Sequence, residues 1–170
     1  MPTRVRLLDD PVLRKPCDPV DPWTAEVLLG IDELLKEMHE TMLAERGIGL
    51  AANQVGRSLR IFILRDGEKE YKAYINPEIL SQEELVDFEG EGCLSIPGAT
   101  STTKRYRRLR LKWVDKEGTT SEADFEDMGA FAVQHEMDHL NGKLYIDQFG
   151  PLKKEMVVKK HKKYLKRGGR

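Results

Sequence analysis

In the stretch Gln134-His135-Glu136-Met137-Asp138-His139-Leu140, two histidines stand four residues apart, with a glutamate directly after the first. On a helix, positions i and i+4 lie one above the other, so both imidazoles can reach a single ion. Glu136 beside the first histidine is a carboxylate able to take a proton from an attacking water. The competing reading is two surface histidines that share a helical stripe by chance. The helix that carries them is expected to begin near Asp127 and to end at Gly142. Phe131, His135, Met137 or Asp138, and His139 are its expected inward positions.

Outward from that helix the periodicity changes repeatedly. Residues 24–45 carry Val27, Ile31, Leu34, Leu35, Met38 and Met42 as one apolar stripe, with Asp21 or Thr24 as cap and Gly47 as stop. His39 on this helix reads as a surface or boundary histidine. Residues 59–65 and 71–76 read as strands of a hairpin turning at Asp66-Gly67, and 78–88 as a further strand entered through Pro77. Residues 108–114 alternate, with Leu109, Leu111 and Trp113 on one face and Arg108, Arg110 and Lys112 on the other, before a turn at Lys116-Glu117-Gly118. Residues 144–146 suggest a short strand, and Pro151 opens a last helix. The expected fold is α+β: mostly antiparallel sheets packed around a central metal-binding helix, with a C-terminal helix, in one domain spanning 1–170.

Composition agrees with a globular chain, at 39% hydrophobic and 34% charged residues over 170 positions, without repeat or linker. Nine Lys/Arg against one acid give residues 151–170 a charge of +8, which leaves −9 in the rest because the total is −1. The first ten residues hold no apolar core of signal-peptide length, and Ile61-Phe62-Ile63-Leu64 is far too short to span a bilayer. Two cysteines, Cys17 and Cys93, cannot form a disulfide framework, and a reducing cytosol is the natural setting.

Two histidines leave a metal under-coordinated, so a third ligand decides the chemistry. The metzincin position six residues after His139 is Tyr145, which excludes that pattern. Glu155, the acid a gluzincin-like endopeptidase would need, sits among lysines and reads better as their solvated partner. Cys93, in Glu91-Gly92-Cys93-Leu94-Ser95, offers a thiolate suited to zinc or iron; its alternative is a small buried hydrophobe. Two His and one Cys leave the open position of a catalytic site, whereas a structural site would need a fourth protein ligand. Cys17 has no such context. Residues 47–54 match a G-x-G-x-x-A dinucleotide pattern but follow a helix and lead to a strand, the reverse of what that pattern requires. They read instead as a helix stop followed by a close backbone approach to a ligand. Gln54 there is either an amide donor to the site or a polar loop residue.

Together GIGLAANQ (47–54), EGCLS (91–95) and QHEMDHL (134–140) resemble, in order, the three signature motifs of peptide deformylase. Ile96-Pro97, Arg105, Ile75-Asn76-Pro77 and Gly150-Pro151-Leu152-Lys153 are similar to bacterial and organellar members too, so the likeness runs over nearly the whole chain. The resemblance implies that Cys93, His135 and His139 bind the metal and that Glu136 is general base and acid. It implies that the Gln54 amide and the Leu94 N–H stabilise the oxyanion, that Ile48 and Gly49 pair their backbone with the peptide, and that Phe131 and His135 line a methionine pocket braced by Glu91 and Arg105. Gly98-Ala99-Thr100 departs from members with longer polar or basic residues there, which bears on contacts to the outer peptide. The implied reaction is release of formate from formyl-methionyl nascent polypeptides, with Fe2+ as the native ion and Zn2+, Ni2+ or Co2+ able to replace it. A cytoplasmic setting with no membrane is expected, monomer is the default, and the basic tail is either a ribosome contact or a solvated lysine face on a terminal helix.

Overall fold

The computed structural model describes residues 2–21 and 24–169, so Arg170 of the basic tail lies outside the described residues. Three helices, α1 (Ala25–Ala44), α2 (Asp127–Leu140) and α3 (Pro151–Lys166), accompany five strands. The strands are β1 (Gly49–Ala51), β2 (Ile61–Asp66), β3 (Glu70–Gly92), β4 (Thr100–Val114) and β5 (Thr120–Glu126). They form one sheet in chain order, every neighbouring pair antiparallel. The α+β expectation holds.

The run Ile61-Phe62-Ile63-Leu64 explains how the layers stack. All four are buried, as in a strand covered on both faces. Ile61 and Ile63 pack with Ile31, Leu34, Leu35, Met38 and Met42 of α1. Phe62 and Leu64 turn the other way, onto Ala130, Val133, Met137 and Leu140 of α2. Leu109, Leu111 and Trp113 of β4 close the same cluster, as their alternation indicates. α2 is therefore the central helix, held by several strands at once.

Both ends of α1 are built from local chemistry. The Thr24 hydroxyl accepts from Val27 N at 3.3 Å, the expected cap. The stop differs: Arg46, not Gly47, takes the left-handed turn (φ 54). Gly47 N then donates to Met42 O at 2.9 Å and Arg46 N to Leu43 O at 3.1 Å, the two bonds of a Schellman ending. α2 closes the same way with Gly142 in the left-handed position (φ 70) and Lys143 N on Asp138 O at 2.8 Å. Asn53 Nδ2 on His139 O (2.7 Å) and Cys17 N on Leu140 O (2.8 Å) satisfy two more of its terminal carbonyls. The end of the helix that carries His139 is thus fixed by bonds from two other segments.

Several elements differ from expectation, among them β1, read from sequence only as backbone approaching a ligand, and β4, which begins at 100 where only 108–114 was expected. The expected strands 71–76 and 78–88 are one 23-residue strand that runs through Pro77, accommodated by register shifts at Ile75/Glu78, Ile79/Ser81 and Phe88/Glu91. β5 was not anticipated. Residues 144–146 begin a 3-10 turn (Tyr145–Gln148) instead of a strand, because Asp147 Oδ2 accepts from Leu144 N at 2.9 Å and curls the chain.

Candidate active site

One donor atom each from Cys93, His135 and His139 lies within 4.8 Å of the others. α2 supplies both histidines, their ring centres 5.0 Å apart. Cys93 comes from the turn directly after β3, and its Sγ lies 3.2 Å from His139 Nε2. His135 Nδ1 donates to Glu91 Oε1 at 2.6 Å, which fixes the tautomer and leaves Nε2 for the site. Burial opposes the Cys93 thiolate, but the charges of His139 and His135 and their hydrogen bonds outweigh it, holding the thiol well below its usual range. A thiolate and two imidazoles in this arrangement suit a divalent transition metal, and three protein ligands leave a position open.

Glu136 lies beside this cluster, 4% exposed, with Oε2 buried and without a partner among the described residues. Burial pushes its carboxyl up to about 7, and the nearby histidines pull it down only in part. Its Oε1 comes so close to β1 that a Cβ on Gly49 would stand 2.6 Å away. Glycine at 49 is what lets the carboxylate reach the strand edge.

Gln54 is 2% exposed in the short 3-10 turn Ala52–Val55. Its Oε1 accepts from Ala51 N at 2.9 Å, which turns Nε2 toward Ser95 Oγ (3.1 Å) and Cys93 Sγ (3.7 Å). The amide is therefore a site group and not a solvated loop residue. Leu94, Ile48, Gly49 and Phe131 all line a cavity of about 530 Å³ that also contains Cys93, His135 and Glu136. Phe131 stacks on Phe88 at 4.6 Å across one side of it. β1 pairs only with β2, so the strand bearing Gly49 is a sheet edge at the cavity.

Below the histidines, Arg105 and Glu91 form a buried pair, 4% and 2% exposed. Arg105 Nη2 meets Glu91 Oε1 at 2.6 Å, Nε meets Oε2 at 2.9 Å, and Nη1 meets Asp138 Oδ2 at 2.7 Å. Thr103 Oγ1 also donates to Glu91. Burial works against the Glu91 carboxylate, yet the bonds from His135 and Arg105 hold it down at about 2. Thr103 and Asn53 were missed from sequence, and Asp138 was read only as an alternative inward position of its helix. Two of them carried a signal: Thr103 and Arg105 share a strand face at spacing two, and Asp138 stands three residues after His135 on one helix face. Arg105→Ala removes the guanidinium that pairs the buried Glu91 carboxylate and leaves it only the His135 imidazole and the Thr103 hydroxyl, with an expected loss of about 3–5 kcal/mol. Urea unfolding checks this, and a loss under about 1 kcal/mol would contradict it.

Two residues fall away. Glu155 is exposed and paired with Lys159 at 2.9 Å, which removes the endopeptidase reading. Cys17 is buried in the α2 cluster, and burial pushes its thiol up to about 11, so it is an inert core residue.

A family model described as polypeptide deformylase matches residues 2–155. The chain belongs to that family. It is 39% identical over 165 residues to the peptide deformylase of Bartonella tribocorum, covering 94% of this chain and 90% of the relative. A crystal structure of a peptide deformylase from Legionella pneumophila superposes with a TM-score of 0.92 at 37% identity, over 100% of this chain and 99% of that one. A Met-Ala-Ser-bound class I type b peptide deformylase from Acinetobacter baumannii gives 0.79 at 31% identity, over 88% and 99%. As a deformylase, the chain is a metal-dependent hydrolase that removes the formyl group from the N-terminal methionine of new polypeptides. No described helix is long and apolar enough to cross a membrane.

Proposed function

We propose that Cys93, His135 and His139 hold one divalent ion, natively Fe2+, and that Glu136 is the proton-transfer residue of the deformylation. The observation that carries this reading is the unpartnered, buried Glu136 carboxylate beside three converging donor atoms on one cavity wall. When bound, the ion supplies Lewis acidity, lowering the pKa of water and polarising the formyl oxygen. Glu136 takes the proton of the attacking water and delivers it to the departing amine nitrogen; a carboxyl raised toward neutrality can do both. Gln54 Nε2 and the Leu94 N–H donate to the oxyanion. The peptide lies along the edge of β1, paired with the backbone of Ile48 and Gly49, and its methionine side chain rests against Phe131. A formyl carbon carries only hydrogen, so a close-walled site accepts it while bulkier acyl carbons collide.

The A. baumannii relative with Met-Ala-Ser bound supports a formyl-Met-Ala-Ser test substrate. Anaerobically purified, iron-loaded protein is expected to release one formate per formyl-Met-Ala-Ser and to leave acetyl-Met-Ala-Ser intact. Cys and His donors also accept Zn2+, Ni2+ and Co2+, and iron brings the liability that oxygen attacks the metal and then Cys93. Zinc-loaded protein turning over as fast as iron-loaded protein would overturn the iron assignment.

The reading extends to one catalytic domain over 1–170, monomeric and cytoplasmic, with 151–170 as its basic C-terminal helix. Val157 of α3 packs into a shared buried cluster with Ile96 and Tyr145, which supports a single domain. Lys159, Lys160, Lys162 and Lys163 are exposed on α3 and suit an anionic surface such as ribosomal RNA. Reversing Lys159, Lys160 and Lys163 to Glu is expected to abolish low-salt co-sedimentation with ribosomes while formate release from the tripeptide is unchanged. Undiminished co-sedimentation would reject the docking role.

A further inference from the structure

The basic helix also reaches the wall of the substrate cavity. Val157, His161 and Tyr164 stand at i, i+4 and i+7 of α3, on one face. His161 is 1% exposed in a helix whose neighbouring lysines face solvent, and its Nδ1 donates to Pro97 O at 2.9 Å. A buried polar ring needs such a partner, and here the partner is the backbone of a loop 64 residues away. The next residue, Gly98, has φ 80, and a Cβ on it would stand 2.3 Å from Tyr164 Cβ. The loop backbone thus lies directly on the tyrosine, in a conformation other residues rarely adopt. Residues 96–99 form one side of the 530 Å³ cavity. The family match ends at residue 155, so His161 and Tyr164 belong to a segment outside it.

We propose that His161 and Tyr164 are positioning residues for the deformylation, clamping the Pro97-Gly98 turn where it completes the peptide-binding wall. The inference rests on the reading of this cavity as the peptide site. Cys93 is anchored by bonds that do not involve α3: Ile96 N donates to Cys93 O at 2.9 Å, and Ser95 N and Gln54 Nε2 approach Cys93 Sγ at 3.4 and 3.7 Å. Releasing the clamp therefore shifts the wall and leaves the donor cluster in place. The consequence falls on peptide affinity and not on the chemical step.

The test uses full-length, iron-loaded enzyme with formyl-Met-Ala-Ser, and measures KM, kcat, metal content and melting temperature together. His161→Ala is expected to raise KM by about fivefold to tenfold, the worth of one partly buried hydrogen bond, with kcat within about twofold. His161→Asn, whose side-chain N–H can stand where Nδ1–H stood, is expected to restore KM. Tyr164→Ala, at a half-exposed position, is expected to raise KM in the same direction by less, and reports on the clamp even if His161→Ala does not fold. Phe131→Ala, measured alongside, tests the cavity itself. An unchanged KM in the α3 variants with a raised KM in Phe131→Ala overturns the clamp alone. An unchanged KM in all of them overturns the peptide-site reading beneath it. Equal damage in His161→Ala and His161→Asn, or a fall in kcat together with lost metal, marks a merely structural role and also overturns the proposal.

Discussion

Glu136→Ala is expected to retain its metal ion and to lose about 10²–10⁴-fold in kcat for formate release. In the proposed reaction this carboxylate moves the proton, and among the described residues no second acid is placed to substitute for it: Glu91, the other carboxylate lining the cavity, is committed to His135, Arg105 and Thr103. The ligands do not depend on Glu136, since His135 is oriented by Glu91 and the backbone around His139 is tied down by Asn53. Stability should stay level or rise, because a buried carboxylate with an unpartnered Oε2 carries a desolvation cost that alanine removes. A coupled formate assay, metal analysis and thermal melting on one preparation check all three outcomes. Turnover within about tenfold of the parent would contradict the assigned role.

Cys93→Ser is expected to empty the site. The protein holds the Cys93 thiol well below its usual range, against the opposing effect of burial, by placing His139 and His135 beside it. A serine hydroxyl stays protonated under the same influence and is a poorer donor to iron or zinc. Loss of an outer-shell partner already weakens metal binding by about 10–100-fold, so loss of the thiolate should exceed that. Formate release should fall in proportion, while the fold survives, because Cys93 is only a partly buried neighbour of its cluster. Glu155→Ala, at an exposed residue paired with Lys159, is the matched control and should keep full metal occupancy. Dialysis against a chelator series, read by metal analysis, separates the two. A Cys93→Ser protein that keeps one tightly bound ion per chain would contradict the ligand assignment.

The parts of the fold legible in sequence were those whose burial is one-sided or complete. The α1 stripe, the β2–β3 hairpin and the Leu109-Leu111-Trp113 face each bury a pattern that the eye can count. The outer half of β3 was harder to read because most of residues 80–90 are exposed and show no alternation, so that Pro77 looked like a boundary. β5 hid because its inward positions include Ser121 and Ala123, too small or polar to mark a face, with only Phe125 to signal it. The donor cluster was legible because metal chemistry narrows the residue types to Cys and His and the helix fixes their spacing. The Glu91-Arg105-Asp138 clamp and the His161-Pro97 bond join segments far apart in the chain through ordinary residue types, and only folding brings them together.

In the proposed site one ion is held by the Cys93 sulfur and by one imidazole nitrogen each of His135 and His139. X-ray absorption at the metal edge of the anaerobic, iron-loaded protein tests it most directly. One sulfur scatterer and two histidine nitrogens per iron are expected. An iron environment of nitrogen and oxygen alone in the parent protein would contradict that coordination.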